Sequence, residues 1–184
     1  MNLIRFFVKK IVFLFYYLIY RLDLIFLPKN KNIIVFDIDN TLANTWPSLK
    51  KSMVYNQYDF YRSLPLIKNA KDLVEESQLK GYFIFFLSAR DPRYWISTKF
   101  WLNDKFNITT FSLRLVPIVK MKIGYWKKLS KHNKLVVIDD LSYNHENDNI
   151  KFYQSEIDYL INNNNIEYFG YHEIVTGLNK IILN

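Results

Sequence analysis

Residues 33–42 read IIVFDIDNTL. Four apolar residues, all β-branched or aromatic, run without a break into two aspartates. Such a run reads as a strand buried on both faces, as in a parallel sheet, because a half-exposed strand would alternate. Two further runs share the form: FIFFL at 83–87, ending in Ser88-Ala89-Arg90-Asp91, and LVVI at 135–138, ending in Asp139-Asp140. Weaker strands are expected at 111–116 (FSLRLV) and 166–169 (IEYF). Helical patterns lie between them, at 65–80, 93–104, 122–132 and 151–162. The first opens at Pro65 and stops at Gly81, the usual punctuation of a helix. Strands alternating with helices predict right-handed βαβ crossovers and an α/β fold with a doubly wound, mostly parallel sheet.

The chain has 184 residues, half of them apolar and 18% aromatic, which suits one domain with a sizeable core. Disordered and fibrous classes are excluded by that content and by only 4 Gly and 5 Pro. No cysteine is present, so disulfides, thiolate nucleophiles and Cys-bound zinc are excluded. His132, His145 and His172 have no metal-ligand spacing.

The net charge of +8 is concentrated at the start of the chain. Residues 1–31 hold Arg5, Lys9, Lys10, Arg21, Lys29 and Lys31 against Asp23 alone. They also hold the apolar stretches IVFLFYYLIY (11–20) and LIFL (24–27). The first makes a helix of only about 15 Å, half the thickness of a bilayer core. Extending it to residue 27 places Arg21 and Asp23 inside the bilayer. No small-residue cleavage site follows, which argues against a secretory signal. Residues 1–28 are therefore read as an apolar, basic helical arm, separate from a domain over 33–184. Three arrangements remain open: attachment at a membrane surface, a true span, or docking on protein. The expectation is a cytoplasmic domain associated with a membrane through its arm.

Ligands of an open α/β sheet bind beyond the carboxyl ends of its strands. Asp37, Asp39, Ser88, Asp139 and Asp140 are all delivered there by three different strands. One aspartate at a strand end is ordinarily a turn or cap residue. Several together repel unless a cation neutralises them, and an all-oxygen donor set suits Mg²⁺. With a lysine opposite, from Lys120 or Lys122, the pattern describes handling of a phosphoryl group.

These residues resemble the four motifs of the haloacid dehalogenase superfamily of phosphohydrolases. FDIDNTL (36–42) is similar to its D-x-D-x-T motif, and LSAR (87–90) to its second. Lys120 or Lys122 fits the third, with Lys120 favoured, and IDD (138–140) fits the fourth. The resemblance covers residues 33–182. It implies a Rossmann-like fold and a Mg²⁺-dependent phosphatase. Asp37 would be the nucleophile and Asp39 the general acid and base. Thr41, Ser88 and Lys120 would bind phosphate, with Thr41 also ordering its loop. Asp37, Asp39 (through its carbonyl), Asp139 and Asp140 would hold the metal. Asn40 replaces a common glycine, which is tolerable because Asn enters the left-handed region. Asn144 and Asp148 are further candidates for ordering the metal shell.

The spacing leaves room for little or no cap, so the site should be open to a large or membrane-proximal phosphate ester. The stretch from Ser88 to Asp140 is also similar to the phosphatase domain of polynucleotide kinase-phosphatases. On that reading Arg90, Arg93, Trp95 and Lys99 would contact nucleic acid, as a 3′-phosphatase on nucleic-acid ends or a nucleotide. The modest charge beyond the arm disfavours it, and packing is the simpler role for Trp95 and Trp101. A third reading is a membrane-attached interaction protein with a vestigial site.

Overall fold

A computed structural model describes residues 2–46, 48, 56–144, 149–150 and 153–178. Helix α1 (Asn2–Asp23) leads into strand β1 (Asn32–Phe36). Then follow α2 (Gln57–Ser63), α3 (Ala70–Leu79), β2 (Phe83–Ser88), α4 (Trp95–Lys105) and β3 (Phe111–Leu115). The second half contains α5 (Lys122–Ser130), β4 (Lys134–Ile138), the short strands β5 (Tyr143–Asn144) and β6 (Asn149–Ile150), α6 (Gln154–Ile161), β7 (Ile166–Phe169) and α7 (Tyr171–Gly177). Five strands pair in the order β3-β2-β1-β4-β7, all parallel. The small antiparallel β5–β6 pair was not foreseen from the sequence.

The continuous apolar runs are buried on both faces for a topological reason. Alternate residues of β1 enter opposite cores. Ile34 and Phe36 pack with Leu73 and Val74 of α3, Trp101 and Leu102 of α4, and Ile174 of α7. Ile33 and Val35 pack with Tyr125, Trp126 and Leu129 of α5 and Ile157 and Leu160 of α6. Helices thus cover both faces, as the doubly wound reading requires.

The helix expected over 65–80 begins later, at Ala70. Its first residues are taken by another partner: Ile67 donates its amide to the Leu42 carbonyl at 2.8 Å, and the Pro65 carbonyl accepts from the Asn44 amide at 2.9 Å. Asn69 then turns the chain with a φ of 65°. Gly81, at φ 81°, ends the helix as predicted.

The end of the arm docks on the domain. The Tyr20 hydroxyl donates to the Met121 carbonyl at 3.2 Å, and its ring meets Tyr125 edge-on. Asp23 accepts from Arg114 Nε at 2.5 Å and from the Tyr125 hydroxyl at 2.7 Å. Leu27 is buried in the core beneath. Among the described residues no helix is long and apolar enough to cross a membrane.

Tyr20 can lie this close only because residue 124 is glycine. A Cβ there would fall 1.6 Å from the Tyr20 hydroxyl. In an ordinary helix interior Gly→Ala stabilises by about 0.5–1 kcal/mol. Here Gly124→Ala is expected instead to expel Tyr20, seen as faster limited proteolysis within residues 1–27 while the melting transition of the domain persists.

Candidate active site

Phe36 stands in register with Phe86 of β2 and Ile138 of β4. The residues after these strands therefore reach one rim. The ladder continues one residue further: the Asp37 amide donates to the Ile138 carbonyl at 2.9 Å and the Asp139 amide to the Phe169 carbonyl at 3.1 Å. Both carboxylates are thereby fixed where the strand order reverses, between β1 and β4.

Lys122, the first residue of α5, joins them. Its Nζ lies 2.6 Å from Asp37 Oδ1 and 2.7 Å from Asp139 Oδ2, and all three side chains are buried. Thr41 ties in the neighbouring loop. Its hydroxyl accepts from the Asp140 amide at 3.2 Å and lies 3.5 Å from Asp140 Oδ1.

The lysine favoured from sequence is thus corrected. Lys122 occupies the position, and Lys120 is exposed to solvent. Val119–Met121 form a 3₁₀ turn ahead of α5. With about three residues per turn, positions two apart diverge by roughly 120°, so only one of the two lysines can face the rim.

Asp39 faces a different set of partners. Its Oδ1 accepts from the Thr45 hydroxyl at 2.7 Å and Arg90 Nη2 at 2.6 Å. Its Oδ2 accepts from Arg90 Nε at 3.0 Å and the Ser88 hydroxyl at 3.3 Å. Arg90 is itself locked: Nη1 donates to Thr98 at 2.9 Å, and the guanidinium stacks 4.2 Å from the centre of the Tyr61 ring. Asn40 takes the left-handed conformation, φ 57°, expected where the resembled motif carries glycine.

These surroundings divide the carboxylates. Burial pushes Asp37 well above the usual range, Lys122 opposes the rise, and Asp139, Asp140 and Asp39 add to it. Asp139 is pushed up to about 6, by burial against the pull of Lys122, with Asp140 raising it further. Burial penalises the Lys122 ammonium too, yet its two carboxylate partners raise its pKa above the ordinary value. For Asp39, burial acts upward but is outweighed by the Arg90 charge and by hydrogen bonds from Arg90, Thr45 and Ser88, so it lies low. A general acid is best served by a raised pKa, and the raised values fall instead on Asp37 and Asp139. Arg90, assigned from sequence only to nucleic-acid contact, is the reason for the inversion.

Asp37, Asp139 and Asp140 each offer an oxygen within 4.8 Å of the others. Three carboxylates against one lysine leave excess negative charge, and the donors are all oxygen. Both features fit a hard divalent ion such as Mg²⁺.

Of the remaining candidates, Trp101 is buried and donates to the Leu64 carbonyl at 2.8 Å, a packing role. Trp95 is 40% exposed, with Lys99 Nζ 5.0 Å from its ring centre. Arg93 pairs with Asp91 at the surface. Asn144 lies in β5, and Asp148 falls outside the described residues. Thr45, Tyr61 and Thr98 carried no sequence signal of their own.

No protein-family model matches the chain, and no curated protein matches it in sequence. Several solved structures match its fold, among them the following two. The class C acid phosphatase from Bacillus anthracis, with tungstate bound, superposes with a TM-score of 0.50 at 19% identity, over 78% of this chain and 68% of that one. A chain of the Pnkp1/Rnl/Hen1 complex superposes with a TM-score of 0.52 at 16% identity, over 76% of this chain. Only 45% of that longer chain is covered. The chain therefore shares its α/β, Rossmann-like fold with these two proteins.

The lysine correction is testable by stability. Lys122→Met strands two buried carboxylates and should cost about 3–5 kcal/mol in urea unfolding. Lys120→Met, at an exposed position, should stay within about 0.5 kcal/mol of wild type. The raised Asp139 also predicts a pH dependence. Its folded value exceeds the unfolded one, so it stabilises fully below about pH 4 and loses that contribution as pH rises through about 6. Asp39 acts oppositely, losing stability only as pH falls below the ordinary carboxylate range. In chelator, the melting temperature should therefore decline between these limits. Added Mg²⁺ should raise it more at neutral than at acid pH, since metal and protons compete for the same oxygens.

Proposed function

We propose that this chain is a Mg²⁺-dependent phosphatase that hydrolyses a phosphate monoester through an aspartyl-phosphate on Asp37. The observation that carries the reading is the buried contact of Lys122 with Asp37 and Asp139, beside Asp140, at the carboxyl rim of the sheet.

Each residue has a role consistent with its place. Asp37 is held at the strand end, stripped of water, with one oxygen on Lys122. Its carboxylate attacks phosphorus in line with the leaving oxygen. Asp37, Asp139, Asp140 and the Asp39 carbonyl would hold the divalent ion, which supplies the charge that lets a carboxylate approach a phosphate. Lys122 adds positive charge where the phosphoryl oxygens gather, and Ser88 adds a hydroxyl donor once it turns from its long bond to Asp39. Thr41 keeps the β1 and β4 loops together through Asp140.

Asp39 protonates the leaving oxygen and then takes a proton from the attacking water. Arg90 holds its ionised form, which serves the second step directly. For the first step Asp39 must acquire a proton and loosen the two-pronged Arg90 contact.

The substrate reading favours a large or membrane-proximal ester. No inserted cap is present among the described residues. An apolar cleft of about 330 Å³ lies between α1 and the end of β3, lined by Tyr16, Trp95, Val116 and Pro117. It could receive the rest of such a molecule.

Asp37→Asn should lower turnover of an aryl phosphate by roughly 10⁴-fold or more with the circular dichroism spectrum retained. In H₂¹⁸O, label should reach the released phosphate, whereas transfer to another acceptor would release no phosphate and leave an unlabelled phosphoryl group on that acceptor. Asp39→Asn should cost roughly 10²–10⁴-fold on an alkyl phosphate and less on an aryl phosphate, whose leaving group needs no proton. A release screen over sugar phosphates, nucleotides, 3′-phosphorylated oligonucleotides and lipid phosphates identifies the ester class. No Mg²⁺-dependent release from any of them would favour the vestigial-site reading.

A further inference from the structure

Helix α1 has two unlike faces. Tyr16, Tyr20 and Asp23 turn toward the domain and are half-buried. On the opposite side Ile11, Leu14, Phe15, Leu18 and Leu22 are between 54% and 65% exposed. At 100° per residue these five positions fall within one sector about 100° wide. Ile25 and Phe26, also exposed, extend the apolar surface past the helix end. A contiguous patch of this kind on a folded chain marks a surface that meets something else.

Charge decides what that is. Arg21 on the helix and Lys29, three residues after Phe26, are exposed, and the sequence adds Arg5, Lys9 and Lys10. The one acid of the arm, Asp23, is already taken by Arg114 and Tyr125 on the domain side. A second copy of the arm would bring like charges together. An anionic lipid surface would attract every one of them. Tyr20 and Asp23 hold one long face of the helix against the domain, which leaves the plane of the interface as the geometry in which the opposite face can meet lipid.

We propose that the exposed apolar face of α1, framed by the basic residues of the arm, lies in the headgroup region of an anionic bilayer and holds the domain at that surface. The domain sits on the water side, because Tyr20 and Asp23 fix it to the opposite face of the helix. This placement stands independently of the chemistry at Asp37.

Co-sedimentation of the full chain with phosphatidylcholine vesicles, with and without phosphatidylglycerol, tests it. Wild type should bind the phosphatidylglycerol vesicles and bind pure phosphatidylcholine at least about tenfold more weakly. Leu14→Asp with Leu18→Asp should lose binding at least about tenfold, and Arg21→Glu with Lys29→Glu should also weaken it. Leu79→Asp, at a still more exposed leucine on α3, should bind like wild type. Any of three results would overturn the proposal: no preference for anionic vesicles, full binding by the Leu14/Leu18 variant, or a wild-type dimer that binds no vesicles and is dissociated by that variant.

Discussion

Lys122 holds together two carboxylates that burial and mutual repulsion would otherwise drive apart. Asp37 comes from the end of β1 and Asp139 from the end of β4, about a hundred residues later. The ammonium between them lets both stay buried at the reversal of the sheet. It also fixes the start of α5 over that point, because the lysine is the first residue of the helix. Such an arrangement is not a source of stability by itself, since desolvation offsets much of the attraction. Its value lies in placing charge where an anionic substrate arrives.

The neighbouring carboxylate shows how little separation is needed to create a different environment. Asp37 and Asp39 are two positions apart, yet one meets a single lysine and the other a planar guanidinium with two parallel contacts. A guanidinium fork matches both oxygens of a carboxylate and is more weakly hydrated than an ammonium. Asp39 therefore stays ionised while Asp37 is pushed up. Pairs of groups whose surroundings drive their pKa values apart are a recurring device of acid–base catalysis. Here the device runs opposite to the simplest assignment, and Arg90 becomes the group whose movement the proton transfer depends on.

The sheet was readable because its strands are buried on both faces, which leaves an unbroken apolar signature in β1, β2 and β4. The rim residues were readable because strand ends are where such a fold binds ligands. What could not be read is what depends on rotation or on long-range contact. Lys120 and Lys122 differ only by a turn of backbone that composition does not fix. The helix start at Ala70 depends on hydrogen bonds from residues 65 and 67 to a loop more than twenty positions earlier. Arg90 looked like a surface cation in sequence, and only the meeting of β2, α4 and Tyr61 shows that it is buried. The docking of Tyr20 rests on a missing methyl group at Gly124, which no hydropathy pattern reports.

Among the described residues, the strand order leaves β3 and β7 with one unpaired backbone edge each. Both are short, and each carries an ionisable residue within it, Arg114 in one and Glu167 in the other. Placing a charge there makes it costly for a stray strand to zip alongside, a common protection against ordered aggregation. In β3 the guard is reinforced, because Arg114 is clasped by Asp23 of the helix preceding the sheet. Cutting away that helix would expose an apolar flank and loosen the sentinel residue at one stroke, so a truncated chain should be the more prone to fibril growth.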